Sequence, residues 1–238
     1  MQLAAQSALK VPLSNHYIKN RILTMKESYS EYRNRTVYGQ ETSKRYAERK
    51  RSHTTEFDLV DAAMQRIPAD TKLIDLPCGG GRMSLHLAKR GYDVISADRS
   101  EHMISITKEI MQEADFPGHV QIEDIENLSM ADRSIDGVFC FRLFQHFPNK
   151  DIRAKAVSEM CRIADQYVIM SYFNSRCLNI VRRRVRDRLK GKLYKKYGTS
   201  LSQVKGYFAD NGFQFIEDFA EPRPLLRPLH IAVFKRTI

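Results

Sequence analysis

The sequence predicts a doubly wound α/β fold, in which helices cover both faces of a mostly parallel, seven-stranded sheet. Segments with helical periodicity alternate with short apolar strands, and a glycine-rich loop, residues 77–81, lies between the first strand and the next helix. The chain then closes with two strands that have no helical segment between them. This pattern predicts a parallel sheet that ends in an antiparallel hairpin.

The predicted elements follow one another in regular order. A helix is predicted over Thr55–Ile67, because apolar residues recur at steps of three and four until Pro68 ends the pattern. The other predicted helices are Arg82–Arg90, Ser100–Ala114, Ile152–Ile163 and Leu201–Ala209. The predicted strands are Lys72–Leu76, Asp93–Ala97, Val120–Glu123, Gly137–Phe141, Tyr167–Tyr172, Phe213–Glu217 and His230–Lys235. The last two strands must be antiparallel, because a parallel pair needs a crossover connection.

Length and composition suit one main domain with a smaller cap. The 238 residues include 42% hydrophobic and 28% charged residues, and no apolar run approaches the roughly 20 residues that span a bilayer. We expect an N-terminal helical cap or lid over residues 1–52, the main domain over 53–238, and a basic helical insertion at about 174–200. We read no secretion signal, and the four scattered cysteines predict neither a metal site nor disulfides. We therefore expect a cytoplasmic protein, with peripheral association at the inner face of a membrane as a further option.

The glycine loop and two acids indicate a nucleotide-like ligand. Glycine lets the backbone approach a ligand closely and turn sharply into a helix, as Gly79 and Gly81 would do here. Asp98 ends the second strand 19 residues after Gly79, where a carboxylate can accept hydrogen bonds from two ribose hydroxyls. Asp75, at the end of the first strand, is expected to support the loop through backbone hydrogen bonds.

At these residues the chain resembles the class I, Rossmann-like S-adenosylmethionine-dependent methyltransferases. Asp75–Gly81 is similar to the first motif of that family, although Pro77 stands where the first glycine usually lies. Gln121–Ile125 resembles the third motif and Ser134–His146 the fourth. The likeness extends from about Tyr46 to the C-terminus and is densest from Leu73 to His146.

The resemblance implies S-adenosylmethionine as cofactor and a set of residues that bind it. Asp124 would accept a hydrogen bond from the adenine amino group, with the Ile125 amide beside the ring, although Glu123 and Glu126 are close enough to take that role instead. Tyr46 resembles the tyrosine that covers the cofactor in many relatives, or else is a surface aromatic. Cys78 is interpreted as a small packing residue of the loop. The full expected set is Tyr46, Pro77, Cys78, Gly79, Gly81, Asp98, Arg99, Asp124, Ile125 and Phe141.

Methyl transfer from a sulfonium is an in-line displacement, which depends on alignment and desolvation of the acceptor and needs no metal. A general base is required only if the acceptor loses a proton. His146 is the candidate base, because imidazole titrates near neutral pH, and its alternative role is packing and loop anchoring. Arg142, on the same segment, could hold an anionic acceptor or the carboxylate of the donor.

The formal charge of +11 is concentrated in two segments. Residues 10–51 form one of them, and residues 176–196 contain ten Lys/Arg and one acid. In the second segment five apolar residues recur at steps of three and four: Leu178, Val181, Val185, Leu189 and Leu193. The segment is therefore interpreted as an amphipathic basic helix. It either packs on the domain with a solvated basic face or uses Arg182–Arg188 to meet an anionic membrane or lipid-linked surface. RNA is the weaker partner, because few aromatic residues interleave with the arginines.

These observations predict methyl transfer from S-adenosylmethionine to a small-molecule or lipid- or glycan-associated acceptor. An RNA methyltransferase and a non-catalytic S-adenosylmethionine-binding protein remain as alternatives. A nicotinamide-dependent oxidoreductase is disfavoured by Asp75, by the missing Gly-x-Gly-x-x-Gly spacing and by the terminal hairpin.

Overall fold

The computed structural model describes residues 54–116, 118–189, 197–222 and 226–237. Its helices are α1 (Thr54–Met64), α2 (Arg82–Lys89), α3 (Glu101–Glu113), α4 (Lys150–Ile163), α5 (Leu178–Leu189) and α6 (Leu201–Ala209), with a 3₁₀ turn at Phe144–His146. Its strands are β1 (Lys72–Asp75), β2 (Asp93–Asp98), β3 (His119–Ile122), β4 (Ile135–Cys140), β5 (Ala164–Phe173), β6 (Phe213–Ala220) and β7 (Leu229–Arg236). The predicted cap over residues 1–52 and the tyrosine at position 46 lie outside the described residues.

The seven strands form one sheet in the order β3-β2-β1-β4-β5-β7-β6. Strands β1 to β5 pair in parallel, while β7 runs antiparallel to both β5 and β6. The predicted doubly wound sheet with a terminal antiparallel hairpin is confirmed. Strand β7 is inserted between β5 and β6, so the last strand of the chain is not the edge strand of the sheet.

Helices cover both faces of the sheet, as predicted. On one face α1 and α2 pack against β1, β5 and β7 through residues such as Val60, Leu87 and Ile169. On the other face α4 and α6 pack against β4, β5 and β7, and Phe208 stacks on Phe234 with ring centroids 3.8 Å apart. Because the central strands are buried on both faces, their sequences are nearly continuous apolar runs instead of alternating ones.

Side-chain caps determine where several helices begin. Ser100 accepts a hydrogen bond from the Met103 amide at the start of α3, and Asn149 does the same for α4. At α6, Ser200 and Gln203 form a reciprocal capping box. Because β1 to β5 pair in parallel, the carboxyl ends of β1, β2, β4 and β5 lie at one side of the sheet, which we call the carboxyl edge. Ligands of doubly wound folds bind at this edge.

Several boundaries differ from the prediction by a few residues, and two of them have identifiable reasons. Helix α1 ends at Met64, because Pro68 disfavours helical geometry in the residue before it and the Ile67 amide instead closes a turn on the Met64 carbonyl at 3.0 Å. Strand β5 begins at Ala164, three residues earlier than predicted, because Ala164 pairs with Ile135 of β4. That early pairing depends on a neighbouring strand and has no local signal.

Candidate functional site

The glycine loop after β1 is held against β2 by backbone hydrogen bonds. The Cys78 amide donates to the Ala97 carbonyl at 2.7 Å, and the Gly79 amide donates to Oδ2 of Asp98 at 3.0 Å. The hydroxyl of Thr107, from α3, donates to the Gly79 carbonyl at 2.8 Å. Gly79 has φ +55°, a conformation that side chains rarely adopt. The loop therefore has a defined shape that exposes backbone at the carboxyl edge.

Gly81 is required by packing. It has φ +74°, and a Cβ atom at this position would lie 2.9 Å from Cγ2 of Thr107 on α3. The space beside Gly81 is thus filled by the protein itself. Gly81 brings α2 and α3 close together and so supports the loop from behind.

Asp98 occupies the predicted position at the end of β2. Its side chain is almost fully buried, and its second oxygen, Oδ1, accepts from the Ser100 amide at 2.9 Å. Burial raises the pKa of this carboxyl above its usual value, against the opposing effects of the Ser100, Gly79 and Arg99 amides and of the Arg99 charge. A carboxylate has about four lone-pair sites, so Asp98 can still accept a hydrogen bond from a hydroxyl group.

Asp75 supports the loop from below, at the end of β1. It is fully buried, and its Oδ2 accepts from the Ser84 hydroxyl of α2 at 2.7 Å. Its Oδ1 has no hydrogen-bond partner among the described residues. Burial, the dominant cause, raises the pKa of Asp75 to about 7. The predicted supporting role is thus carried mainly by a side-chain contact with Ser84.

Cys78 fits the interpretation as a packing residue. Its thiol is buried and lies 3.6 Å from Oγ1 of Thr107. Burial raises the pKa of this thiol well above its ordinary value, so the group stays protonated and unreactive. The preceding Leu76–Pro77 peptide bond is cis.

The turn after β3 separates the three acids that the sequence left ambiguous. Glu123 is buried and accepts from both the amide and the hydroxyl of Ser129, the former at 2.9 Å, so it closes its own turn. Asp124 is half-buried and accepts from the Glu126 amide at 3.1 Å. Ile125 is buried beside it. Asp124 is therefore more accessible to a bound nucleobase than Glu123.

A buried ion-pair cluster at the end of β4 escaped the sequence analysis. The carboxylate of Glu56, on α1, accepts hydrogen bonds from the guanidinium groups of both Arg82 and Arg142. Arg142 is a non-glycine residue with φ +59°, and its amide donates to the Ser171 hydroxyl at 2.6 Å. The pairing of Arg142 with Glu56 joins α1 to the end of β4 across 86 residues of sequence. No sequence signal links residues so far apart.

A second missed network connects β5, β6 and β7. Nδ1 of His230 lies 2.8 Å from Oδ2 of Asp218, and the Tyr172 hydroxyl donates to Oδ1 of Asp218 at 3.0 Å. Nε2 of His230 lies 3.5 Å from the side-chain amide of Asn174. Burial is the main cause that raises the pKa of Tyr172 far above its usual value. The Asp218 carboxylate thus holds two buried partners on neighbouring strands.

Other predicted residues lie around this edge. His146 ends the 3₁₀ turn after β4 and is half-buried, with its amide donating to the Leu143 carbonyl at 2.8 Å. Phe141 is buried, with its ring stacked on Phe139 at a centroid distance of 5.9 Å. Arg99 is half-buried directly after Asp98. The structure therefore gathers the described members of the predicted set at one edge of the sheet.

Comparison with known proteins identifies this edge. Residues 73–166, which contain the glycine loop, Asp98, Asp124 and His146, match the model of a methyltransferase domain family. These matched residues carry a methyltransferase domain, and the fold is that of solved class I methyltransferases. Two solved structures of this fold, both of a magnesium protoporphyrin IX methyltransferase, have S-adenosylhomocysteine or S-adenosylmethionine bound.

The relatives of this methyltransferase domain include two kinds of O-methyltransferase. The ubiquinone biosynthesis O-methyltransferase of Coxiella burnetii is 34% identical over 77 residues, which are 32% of this chain and 33% of the relative. The magnesium-protoporphyrin O-methyltransferase of Synechocystis is 26% identical over 161 residues, or 65% of this chain and 70% of the relative. The chain thus spans about a third of the length of the ubiquinone-biosynthesis relatives that it matches.

Solved structures show the same fold. The magnesium protoporphyrin IX methyltransferase of Synechocystis with bound S-adenosylhomocysteine superposes with a TM-score of 0.64 at 19% identity, covering 90% of this chain and 95% of that one. A protein from Pyrococcus horikoshii superposes with a TM-score of 0.63 at 18% identity. At these identities the likeness concerns the fold alone.

The residues present fit S-adenosylmethionine. Asp98 retains lone pairs for the ribose hydroxyls, and Gly79 leaves its backbone accessible beside that carboxylate. Asp75 adds a buried carboxylate oxygen without a partner among the residues described. Arg82 and Arg142 pair with Glu56, and Nη1 of Arg82 and Nε of Arg142 are buried without a further hydrogen-bond partner among the described residues, so these groups can bind a ligand carboxylate as well. Together these groups match the hydroxyl and carboxylate ends of such a donor.

Proposed function

We propose that this protein transfers a methyl group from S-adenosylmethionine to an oxygen atom of a small-molecule acceptor. The observation that carries the proposal is the hydrogen bond between the Gly79 amide and Asp98, which joins the glycine loop to the end of β2 within the matched methyltransferase domain. The oxygen is inferred from the two O-methyltransferase groups among the relatives.

The residues that follow β1, β2 and β3, which we call the donor side, would bind and orient the methyl donor. Asp98 would accept from the ribose hydroxyls and Asp124 from the adenine amino group, while the Gly79 backbone would lie against the donor. When bound, the sulfonium supplies an activated methyl group that an aligned nucleophile can displace. The protein's own contribution on this side is alignment and exclusion of water.

The β4–β7 side of the carboxyl edge, which we call the acceptor side, would take up the proton that the acceptor loses. A hydroxyl acceptor must lose its proton as the new carbon–oxygen bond forms, and we assign that proton to His146. The 3₁₀ turn places this imidazole four residues after Arg142, at the end of β4, and leaves it half-exposed. His230 is less suitable as the base, because it is buried and both of its ring nitrogens face side chains. Arg142 would hold an anionic part of the acceptor or the donor carboxylate.

The first experiment measures the donor. Isothermal titration of the full chain with S-adenosylmethionine, S-adenosylhomocysteine and NAD should show binding of the first two and none of NAD. Binding of NAD alone would overturn the proposal in favour of a nicotinamide-dependent enzyme.

The second experiment distinguishes a methyl ester from an alkali-stable methyl product and from methylated RNA. The protein is incubated with methyl-labelled donor and fractionated cell extract, and the labelled product is then treated with mild alkali. An O-methyl ester releases its label as methanol, an aryl methyl ether retains it, and digestion with ribonuclease shows any label carried by RNA. Label that co-migrates with RNA would favour the RNA methyltransferase, and donor binding without transfer in any fraction would favour a binding protein without catalysis.

A further inference from the structure

Helix α5 is attached to the domain at its start, through the side of the helix that carries Ile180. Cys177, just before the helix, and Ile180 in its first turn are almost fully buried. The side-chain amide of Asn179 donates to the Leu226 carbonyl at 2.6 Å, which places the β6–β7 connection beside the start of the helix. These contacts fix the orientation of α5 on the surface.

The apolar stripe of this helix faces away from the domain. Leu178, Val181, Val185 and Leu189 are 52%, 45%, 55% and 82% exposed. With 3.6 residues per turn these four positions share one side of the helix, and Ile180 lies on the other. Leu226, at the helix start, is also exposed at 43%. A surface helix normally turns such a stripe toward the core, so an outward stripe of this length indicates a binding surface.

Basic residues border the stripe. Arg182, Arg183 and Arg186 are exposed, and the helical period places Arg182 and Arg186 directly beside the line of Leu178 and Leu189. The sequence of α5 contains one acid, Asp187, and no aromatic residue. An aliphatic stripe bordered by arginines is complementary to a bilayer surface, where acyl chains lie beneath anionic headgroups. RNA offers no comparable apolar layer to the four aliphatic side chains.

The N-terminal end of α5 lies at the carboxyl edge of the sheet. The Ser175 amide donates to the Thr199 carbonyl, and the Asn174 amide donates to the Pro228 carbonyl at 2.8 Å, so the helix starts where β5 ends and β7 begins. Arg142 lies next to this point, with its guanidinium 6.0 Å from the centre of the Phe173 ring. A surface that binds α5 would therefore also lie beside the acceptor side of the methyltransferase domain.

We propose that α5 docks this protein on an anionic membrane surface. Its four aliphatic residues enter the acyl region, and its arginines contact the headgroups. No helix among the described residues is long and apolar enough to span a membrane. We further infer, on the basis of the proposed methyl transfer, that the acceptor is an amphiphile that resides in that membrane.

Vesicle flotation with the full chain tests the docking. Wild type should float with vesicles of phosphatidylcholine containing one-third phosphatidylglycerol, should bind pure phosphatidylcholine far more weakly, and should dissociate as salt rises. Replacing Arg182, Arg183 and Arg186 by Glu should weaken binding by about 100-fold. The matched control reverses three exposed lysines elsewhere, Lys89, Lys108 and Lys155, and should retain most of the binding.

A second pair of variants tests the apolar stripe. Val181→Ser combined with Val185→Ser should weaken vesicle binding by about tenfold, because less apolar surface enters the bilayer. Ile216→Ser, at a 40% exposed residue on β6, should leave binding unchanged. Circular dichroism of each variant verifies that the fold is retained.

Three results would overturn the docking proposal: no binding of wild type to anionic vesicles at low salt, equal losses in the arginine and lysine variants, or tight RNA binding that the serine variants keep. These measurements need no methylation, so their failure is distinct from a failure of the proposed function. Labelled methyl found only in the aqueous fraction of an extract, with docking intact, would overturn the amphiphilic acceptor alone.

Discussion

On the β1–β2 side of the carboxyl edge, a short loop is held by backbone amides, a carboxylate and the hydroxyls of α2 and α3, all within about one βαβ unit. On the β4–β7 side, paired side chains come from positions far apart: Glu56 with Arg142, and Asp218 with His230 and Tyr172. The first side presents fixed backbone and suits a constant ligand such as the methyl donor. The second is built from side chains, which can vary without disturbing the loop, and suits an acceptor that differs between relatives.

The largest expected effect on the β1–β2 side is a substitution in the glycine loop. Gly79→Val should abolish measurable S-adenosylmethionine binding, because a β-branched residue is strained at φ +55° and would cover the backbone that the donor approaches. Isothermal titration measures the loss, with circular dichroism as the check on folding. Gly206→Ala in α6, where a Cβ atom meets nothing within 4 Å, is the matched control and should bind normally. Donor binding by a folded Gly79→Val protein would place the donor elsewhere.

The two histidines of the acceptor side should behave differently. His146→Asn should reduce turnover by about 10²–10⁴-fold and preserve donor affinity, as expected for loss of a general base. His230→Asn should mainly lower stability, by about 1–3 kcal/mol, because it disturbs the buried contact with Asp218. Steady-state kinetics and chemical denaturation of both variants separate the two roles. If His146→Asn retained turnover but melted earlier, His146 would be a packing residue.

Asp75 predicts a pH dependence on the donor side. Its folded pKa is raised from 3.8 to about 7, so the native state holds a proton that the unfolded chain releases. The stability of the donor-free protein should therefore fall as pH rises from 3.8 to about 7, by about 4 kcal/mol from this group. The free energy of unfolding, measured by denaturation at several pH values in this window, should change less with pH in Asp75→Asn than in wild type. Asp70→Asn, at an exposed acid, serves as control, and equal slopes in wild type and Asp75→Asn would contradict the assignment.

The smallest expected effect concerns Asp98. Asp98→Ala should weaken S-adenosylmethionine binding by about 1–3 kcal/mol, the usual loss for hydrogen bonds to a charged group. Asp93→Ala, at the other end of the same strand, removes only an exposed contact with Lys72 and should bind the donor as wild type does. Unchanged affinity in the Asp98 variant would show that the ribose lies elsewhere and would weaken the distinction between the two sides.

Much of the donor side could be predicted because its contacts are local. The loop residues, Asp98 and Asp124 lie at strand ends, and their spacing along the chain reports their position at the carboxyl edge. The acceptor side could be predicted only in part. His146 and Arg142 follow β4 directly, whereas Glu56, Asp218 and His230 reach the edge from a helix and two strands that are remote from it in sequence.

The sequence by itself determined the alternation of helices and strands, the antiparallel ending and the helical character of the basic segment, because periodicity and turn residues act over a few positions. Only the tertiary structure decided that β7 lies between β5 and β6, since strand order depends on which edges pair. It also decided that Cys177 and Ile180 face the domain while the longer apolar stripe of α5 faces outward. A stripe read from sequence shows that one face of a helix is apolar, but the neighbouring elements decide where that face points.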